Sequence, residues 1–314
     1  MPIEAEASVP TEDWLICLYV AVDTWWRREG WWRVPARPGP VPAMSDQELI
    51  ALALAGEFLE RRSERAWRAE VATNWAHLFP AVPKQSEWNR RVRWLWGAFE
   101  HLRAFWVRGV PLAPGGWEAI DTAPLPIKHP SRVRRPTCSC SCDWAGVGPV
   151  EGPTGLAAGF GWCAALARWF YGFRLALRTG LTDGLVRGWA IVPAAVDERL
   201  VADGLLDEAV GRGLLTDQGF RSAAWDRCWA AESGLRHLLA PSQRERATRS
   251  RPAVVEAFVR AFRNRIETTT ATLKDRFHLE RHRAKRFWGL LTRTATKIAA
   301  HTFATLWPLG LIPI

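Results

Sequence analysis

Methionine and tyrosine are nearly missing from this 314-residue chain, with two of each, and no apolar run reaches membrane-spanning length. The apolar stretch from Thr154 to Ala167 stops at Arg168, short of the roughly 20 residues that a bilayer requires. A basic opening segment of the secretory kind is also missing, since Glu4, Glu6, Glu12 and Asp13 occupy its place. Six cysteines are too few to staple a chain of this size with disulfides. Three of them, Cys138, Cys140 and Cys142, alternate with serines, a spacing too tight for a zinc knuckle, and no later His or Cys pair completes one. There is no internal repeat. A reduced, cytoplasmic protein without a membrane partner is the expectation.

A 48% hydrophobic share supplies a substantial core for one large domain or two ordinary ones. Lysine plus arginine (42) exceeds aspartate plus glutamate (32), and the excess is concentrated. Between Pro241 and His301 stand 15 basic and 5 acidic residues, so that segment carries the whole net charge of +10. A concentrated positive field suits a polyphosphate partner, because each neutralised phosphate releases condensed counterions. The plainer alternative is a solvated basic face.

Residues 1 to about 110 read as all-helical. After the Pro/Gly linker from Val34 to Ala43, Ser45 and Glu48 form a capping-box pattern. Leu49, Ile50, Leu52, Leu54, Phe58 and Leu59 then follow helical spacing to about Arg61. Further helices are expected from Ala66 to Leu78 and from Glu87 to Phe105, the latter carrying Arg90, Arg91, Arg93 and Arg103. Trp25, Trp26, Trp31 and Trp32 read first as packing residues and second as stacking platforms for unpaired bases.

The pattern changes after Pro111 and the Gly115-Gly116 turn. Strands are expected at Trp117–Ile127, Tyr171–Leu177, Trp189–Val192 and Gly213–Asp217, with a helix from Asp197 to Val210 and a long one from about Arg251 to Leu279. Such alternation predicts an α/β fold with a mixed sheet. The Gly/Ser/Cys-rich segment Thr137–Trp162 reads as a loop or insertion, near 130–165. Two domains follow, 1–110 and 111–314.

Three acids stand where metal-binding carboxylates belong. Asp121 lies on the first strand, Asp217 at the end of a later one, and Glu267 on the long helix. Each alone reads as a surface or capping residue. Together, carboxylates at strand ends beside a crossing helix can converge on two divalent metals and serve phosphoryl transfer, with Mg2+ or Mn2+ favoured by the oxygen donors. Arg260, Arg263 and Lys274 share the helix face of Glu267 at minus seven, minus four and plus seven. They could grip phosphates, or Arg263 could simply pair with Glu267.

The run Arg263-Asn-Arg-Ile-Glu267 through Lys274, followed by Leu279-Glu-Arg281-His-Arg283-Ala284 and Gly289-Leu-Leu-Thr-Arg293, resembles the C-terminal signature of DDE insertion-sequence transposases, an R-x3-E-x6-K element. Asp121 within Ile-Asp-Thr-Ala-Pro-Leu-Pro and Thr216-Asp217-Gln-Gly-Phe220 are similar to that group's two aspartate motifs. The insertion sequence 982 family is the nearest likeness, and it extends to Leu18–Asp23, Ser45–Leu49 and the Phe79-Pro to Val92 region. Arg260 and Gln218 depart from it, standing where tyrosine and lysine are common. Asp197 falls where relatives often carry an acid, and reads as a cap for the following helix.

This resemblance implies an RNase H-like catalytic core behind a helical N-terminal region. It implies Asp121, Asp217 and Glu267 as catalytic and metal-holding residues with Mg2+ or Mn2+, two ions. Arg260, Arg263, Lys274, Arg281 and Arg283 are the implied DNA contacts. The implied reaction hydrolyses a phosphodiester at an element end, and the freed 3'-hydroxyl then attacks target DNA. Implied partners are double-stranded DNA, with terminal inverted repeats and target, and a second copy of the chain as a homodimer on DNA; a cytoplasmic, nucleoid-associated location follows. An inactive DNA-binding relic or regulator, and a non-transposing nuclease of the same fold, are the competing readings.

Overall fold

The computed structural model describes residues 10–112, 116–132, 158–163, 167–206, 213–240 and 252–314. Cys138, Cys140 and Cys142 lie outside the described residues, as does most of the expected insertion. The chain divides into two compact units: Met1–Val110 together with Leu291–Ile314, and Pro111–Leu290.

The first unit contains helices α1 (Thr11–Trp25), α2 (Asp46–Phe58), α3 (Glu64–Asn74), α4 (Gln85–Trp94) and α5 (Trp96–Arg108). Helix α2 begins where its cap dictates. The Glu48 N–H donates to Ser45 Oγ at 3.1 Å, and the Glu48 carboxylate accepts from the Ser45 N–H at 2.6 Å, which satisfies two orphan donors of the first turn. The expected helix from Glu87 to Phe105 is two helices, because the backbone at Leu95 leaves helical geometry.

Leu291–Ile314 joins this unit, whereas the sequence division had run the second domain to the C terminus. The reason is apolar. Helix α9 (Phe287–Leu306) contributes Ile298, Ala299, Phe303 and Leu306, all buried. Phe303 meets the rings of Trp14 at 5.8 Å and Trp106 at 5.5 Å. Lys297 Nζ lies 2.5 Å from Glu57 Oε2, and Arg293 2.9 Å from Glu64. Trp25 is fully buried, while Trp31 and Trp32 are 65% and 55% exposed.

Arg91, one of the arginines of the expected helix from Glu87 to Phe105, is a core residue at 2% exposure. Its Nη2 donates to the Met44 carbonyl at 2.7 Å and to Asp46 Oδ1 at 2.8 Å. It ties α4 to the start of α2.

The second unit is built on a six-stranded mixed sheet: β1 (Trp117–Lys128), β2 (Gly159–Cys163), β3 (Arg168–Gly180), β4 (Val186–Pro193), β5 (Gly213–Thr216) and β6 (Arg236–Leu239). The segment read as a loop to Trp162 therefore ends in a strand. Strand β1 is central, antiparallel to β3 on one side and parallel to β5 on the other. Strands β2 and β4 both pair with β3, and β6 runs parallel to β5. Helices α6 (Glu198–Leu206), α7 (Ala223–Ser233) and α8 (Ala253–Asp275) complete the unit.

Alternation along the strands assigns the helices to faces. Ile120 and Leu214 pack with Ala202 and Leu206 of α6 and Trp229 of α7. Their neighbours Ala119 and Leu215 pack with Val259 of α8, flanked by Val255, Phe258 and Phe262. Helix α8 is anchored again at the β3–β4 turn, where the Thr269 hydroxyl donates to the Gly184 carbonyl at 3.1 Å. Gly184 holds φ +69°, a conformation that suits glycine in a tight turn.

Candidate active site

The site begins with strand register. Trp117, Glu118 and Ala119 of β1 stand opposite Gly213, Leu214 and Leu215 of parallel β5. Continued two residues, that register sets Asp121 beside Asp217, where β5 has just ended. Both aspartates follow, by two residues, the side chains that face α8, namely Ala119 and Leu215.

Each aspartate is held by its own backbone. Asp121 Oδ1 accepts from the Thr122 N–H at 2.8 Å. Asp217 Oδ1 accepts from the Gly219 N–H at 2.8 Å, capping the 3-10 turn Gln218–Phe220. The turn is tied to the far end of β6 through Gln218, whose side-chain N–H donates to the Ala240 carbonyl. Behind Asp217, Thr216 Oγ1 lies 2.7 Å from His237 Nε2, and His237 Nδ1 lies 2.6 Å from Asp226 Oδ1. That relay fixes the end of β5 to β6 and α7.

Burial raises the Asp121 carboxyl from its ordinary 3.8 to about 6. The Thr122 N–H works against the rise, Asp217 and Glu267 add to it by like-charge repulsion, and Lys274 offsets part of it. Asp217, Glu267 and Lys274 are thus each within electrostatic reach of Asp121. Lys274 also pairs with Glu280 at 3.2 Å.

The other expected basic residues stand differently. Arg260 is exposed on α8 two turns before Glu267, about 10 Å along the axis. Arg263 is on the same helix, and its side chain lies outside the described residues. Arg281 and Arg283 are exposed on either side of buried His282, whose Nε2 lies 3.2 Å from the Pro126 carbonyl of β1.

One acid at the site was not legible in the sequence. Glu198, in the first turn of α6, accepts from Thr122 Oγ1 at 2.8 Å and forms an ion pair with Arg174 of β3. An acid in a first helical turn is ordinary there, so only the fold distinguishes it. Its neighbour Asp197 does act as a cap, with Oδ1 accepting from the Arg199 N–H at 2.9 Å. The Arg199 side chain and that N–H hold the Asp197 carboxyl down at about 2.

Among the described residues, no three His, Cys, Asp or Glu side chains already enclose a point where a metal ion could sit. The donor chemistry nonetheless fits a hard divalent cation. All the acids offer oxygen, and Asp121 carries a burial and repulsion penalty that a cation would relieve. A cradle is also present at Gly219, where an added Cβ would lie 3.0 Å from Asp217 Oδ1 and 3.1 Å from Glu198 Oε2.

Residues 149–303 match the family model of the transposase DDE domain. That match supports a DDE transposase. The matched stretch contains Asp217 and Glu267, and begins after Asp121. Among solved structures, the chain aligns with the cryo-EM structure of a piggyBac transposase synaptic complex with hairpin DNA. The alignment has 11% identity and a TM-score of 0.42, covering 99% of this chain and 70% of that one. No curated protein matches the chain. Among the described residues, no helix is long and apolar enough to cross a membrane.

Proposed function

We propose that the protein is a DNA transposase of the DDE type, which cuts the ends of an insertion sequence and joins them to target DNA. The observation that carries the reading is the β1–β5 register beside Asp121 and Asp217, within a chain whose residues 149–303 match the transposase DDE domain. The strand order β2-β3-β1-β5-β6, with β4 also paired to β3 and with β3 the one strand of these six that runs against the rest, supports an RNase H-like core. The likeness to the insertion sequence 982 family rests on the sequence motifs.

In this reading Asp121, Asp217 and Glu267 hold two divalent ions, Mg2+ or Mn2+. Ions bound there would stabilise charge at the scissile phosphate and lower the pKa of the attacking water or 3'-hydroxyl. The chain's own part is geometric. Asp121, within β1, and Asp217, just past the end of β5, are held by the Thr122 and Gly219 N–H groups, while α8 carries Glu267 and Lys274. Lys274, Arg260 and Arg263 on that helix, with Arg281 and Arg283 after it, bind phosphates and orient the strand. Sequence-specific reading of the inverted repeats falls to residues 1–110. A homodimer on DNA and a nucleoid-associated, cytoplasmic location belong to the same reading.

The test is incubation of the purified protein, with Mg2+, on a plasmid carrying the gene's native flanking DNA, beside an Asp217→Asn control. Breaks at fixed flanking positions that vanish in the control are expected, with DNA binding retained. Cleavage that survives Asp217→Asn would overturn the site assignment. Binding without cleavage, in Mg2+ and in Mn2+, would identify an inactive DNA-binding relative.

A further inference from the structure

We propose that Glu198 is a fourth acidic member of this centre, whose Oε2 joins Asp217 Oδ1 in holding a divalent cation at the Gly219 cradle. The inference rests on the transposase reading of the same site and adds a residue to it.

The two oxygens of Glu198 have different surroundings. Oε1 accepts from Thr122 Oγ1 at 2.8 Å and is ion-paired with Arg174. Arg174 is itself braced, since Nε donates to the Ala194 carbonyl at 3.0 Å and Nη2 to the Trp162 carbonyl at 3.2 Å. A guanidinium held by the Ala194 and Trp162 carbonyls sets the direction of the neighbouring carboxylate. Oε2 is then turned toward the Asp217 turn. A Cβ built on Gly219 would meet Asp217 Oδ1 at 3.0 Å and Glu198 Oε2 at 3.1 Å, so both carboxylates border the same small space.

The sheet explains why a fourth acid can reach that space. Thr122 is one residue on from Asp121 and shares the face of Ile120, which packs on α6. Glu198 therefore approaches the strand ends from the α6 side, whereas Glu267 is carried by α8 on the other. A purely structural acid would be satisfied by Arg174 and Thr122 alone. The two carboxylates bordering one space offer the oxygen donors that a hard divalent cation takes.

The experiment measures Mn2+ binding by electron paramagnetic resonance on the full chain with its flanking DNA, for wild type, Glu198→Gln, Glu198→Asp and Gly219→Ala. Glu198→Gln keeps the shape and a hydrogen-bonding oxygen but removes the charge. It is expected to weaken Mn2+ binding about tenfold or more and to raise, by a similar factor, the Mg2+ needed for half-maximal cleavage, a scale typical of lost metal-site partners. Glu198→Asp should recover part of the loss. Gly219→Ala leaves the Arg174 pair in place but wedges a methyl between the two carboxylates, and should weaken Mn2+ binding too. It decides the matter alone if Glu198→Gln fails to fold. Wild-type Mn2+ affinity in both Glu198→Gln and Gly219→Ala would overturn this proposal and leave the transposase reading standing. A wild-type chain that neither binds Mn2+ nor cuts DNA would overturn both.

Discussion

Asp121→Asn is expected to stabilise the α/β unit at neutral pH while abolishing strand cleavage. The folded protein holds the Asp121 proton up to about pH 6, and an ordinary carboxyl releases it near 3.8. Between those values the native state binds the extra proton, so stability is full below 3.8, falls as pH rises through the window, and levels off above about 6. At 1.36 kcal/mol per pH unit the gap corresponds to about 3 kcal/mol, an upper bound for a partly solvated group. Asparagine keeps an oxygen for the Thr122 N–H and sheds the charge, so a gain of roughly 1–3 kcal/mol is expected at pH 7.5 and almost none at pH 4. For a unit of this size that is a rise of several degrees in melting temperature, at about 2–4 °C per kcal/mol. The assay is thermal unfolding of wild type and variant at both pH values, with and without Mn2+. The cation should stabilise the wild type more than the variant, which keeps Asp217 and Glu267 but lacks one carboxylate. A variant less stable than wild type at pH 7.5, or a difference that is the same at both pH values, would refute the reasoning.

Other consequences concern the helical unit. Asp46→Ala leaves the Arg91 guanidinium buried with only the Met44 carbonyl for company, and should cost about 3–5 kcal/mol in chemical denaturation. Phe303→Ala opens a cavity among Trp14, Phe58 and Trp106, with an expected loss of about 3–5 kcal/mol; a loss under 1 kcal/mol would mean that α9 contributes little to that core. Residues 1–110 expressed without Leu291–Ile314 should show an unfolded or molten circular-dichroism melt, because the α9 side chains that complete their core are gone.

Local chemistry made several elements readable in advance. The Ser45/Glu48 capping box begins α2 because its reciprocal hydrogen bonds involve only residues three apart. The strand around Asp121 and the short strand before Asp217 announce themselves by alternation and flanking turn residues. The long helix bearing Glu267 shows its period. What period and propensity do not carry is the partner of each side chain. Arg91 looks like its exposed neighbours in sequence, and only the packing of α4 against the start of α2 buries it on Asp46. The break at Leu95 is a backbone adjustment within a continuous helical pattern.

The sequence by itself determined the helix-then-sheet order, the basic C-terminal third and the three candidate acids, because these depend on residue types and short-range spacing. Tertiary structure alone decided the rest. Parallel pairing of β1 with β5 brings Asp121, within β1, level with Asp217, 96 residues on and just past the end of β5. Apolar burial draws Leu291–Ile314 into the helical unit. Arg174 and Thr122 turn Glu198, an unremarked first-turn acid, toward Asp217. Each of these results from contacts between distant segments, whose free energy is realised only when the chain has closed the long loops between them.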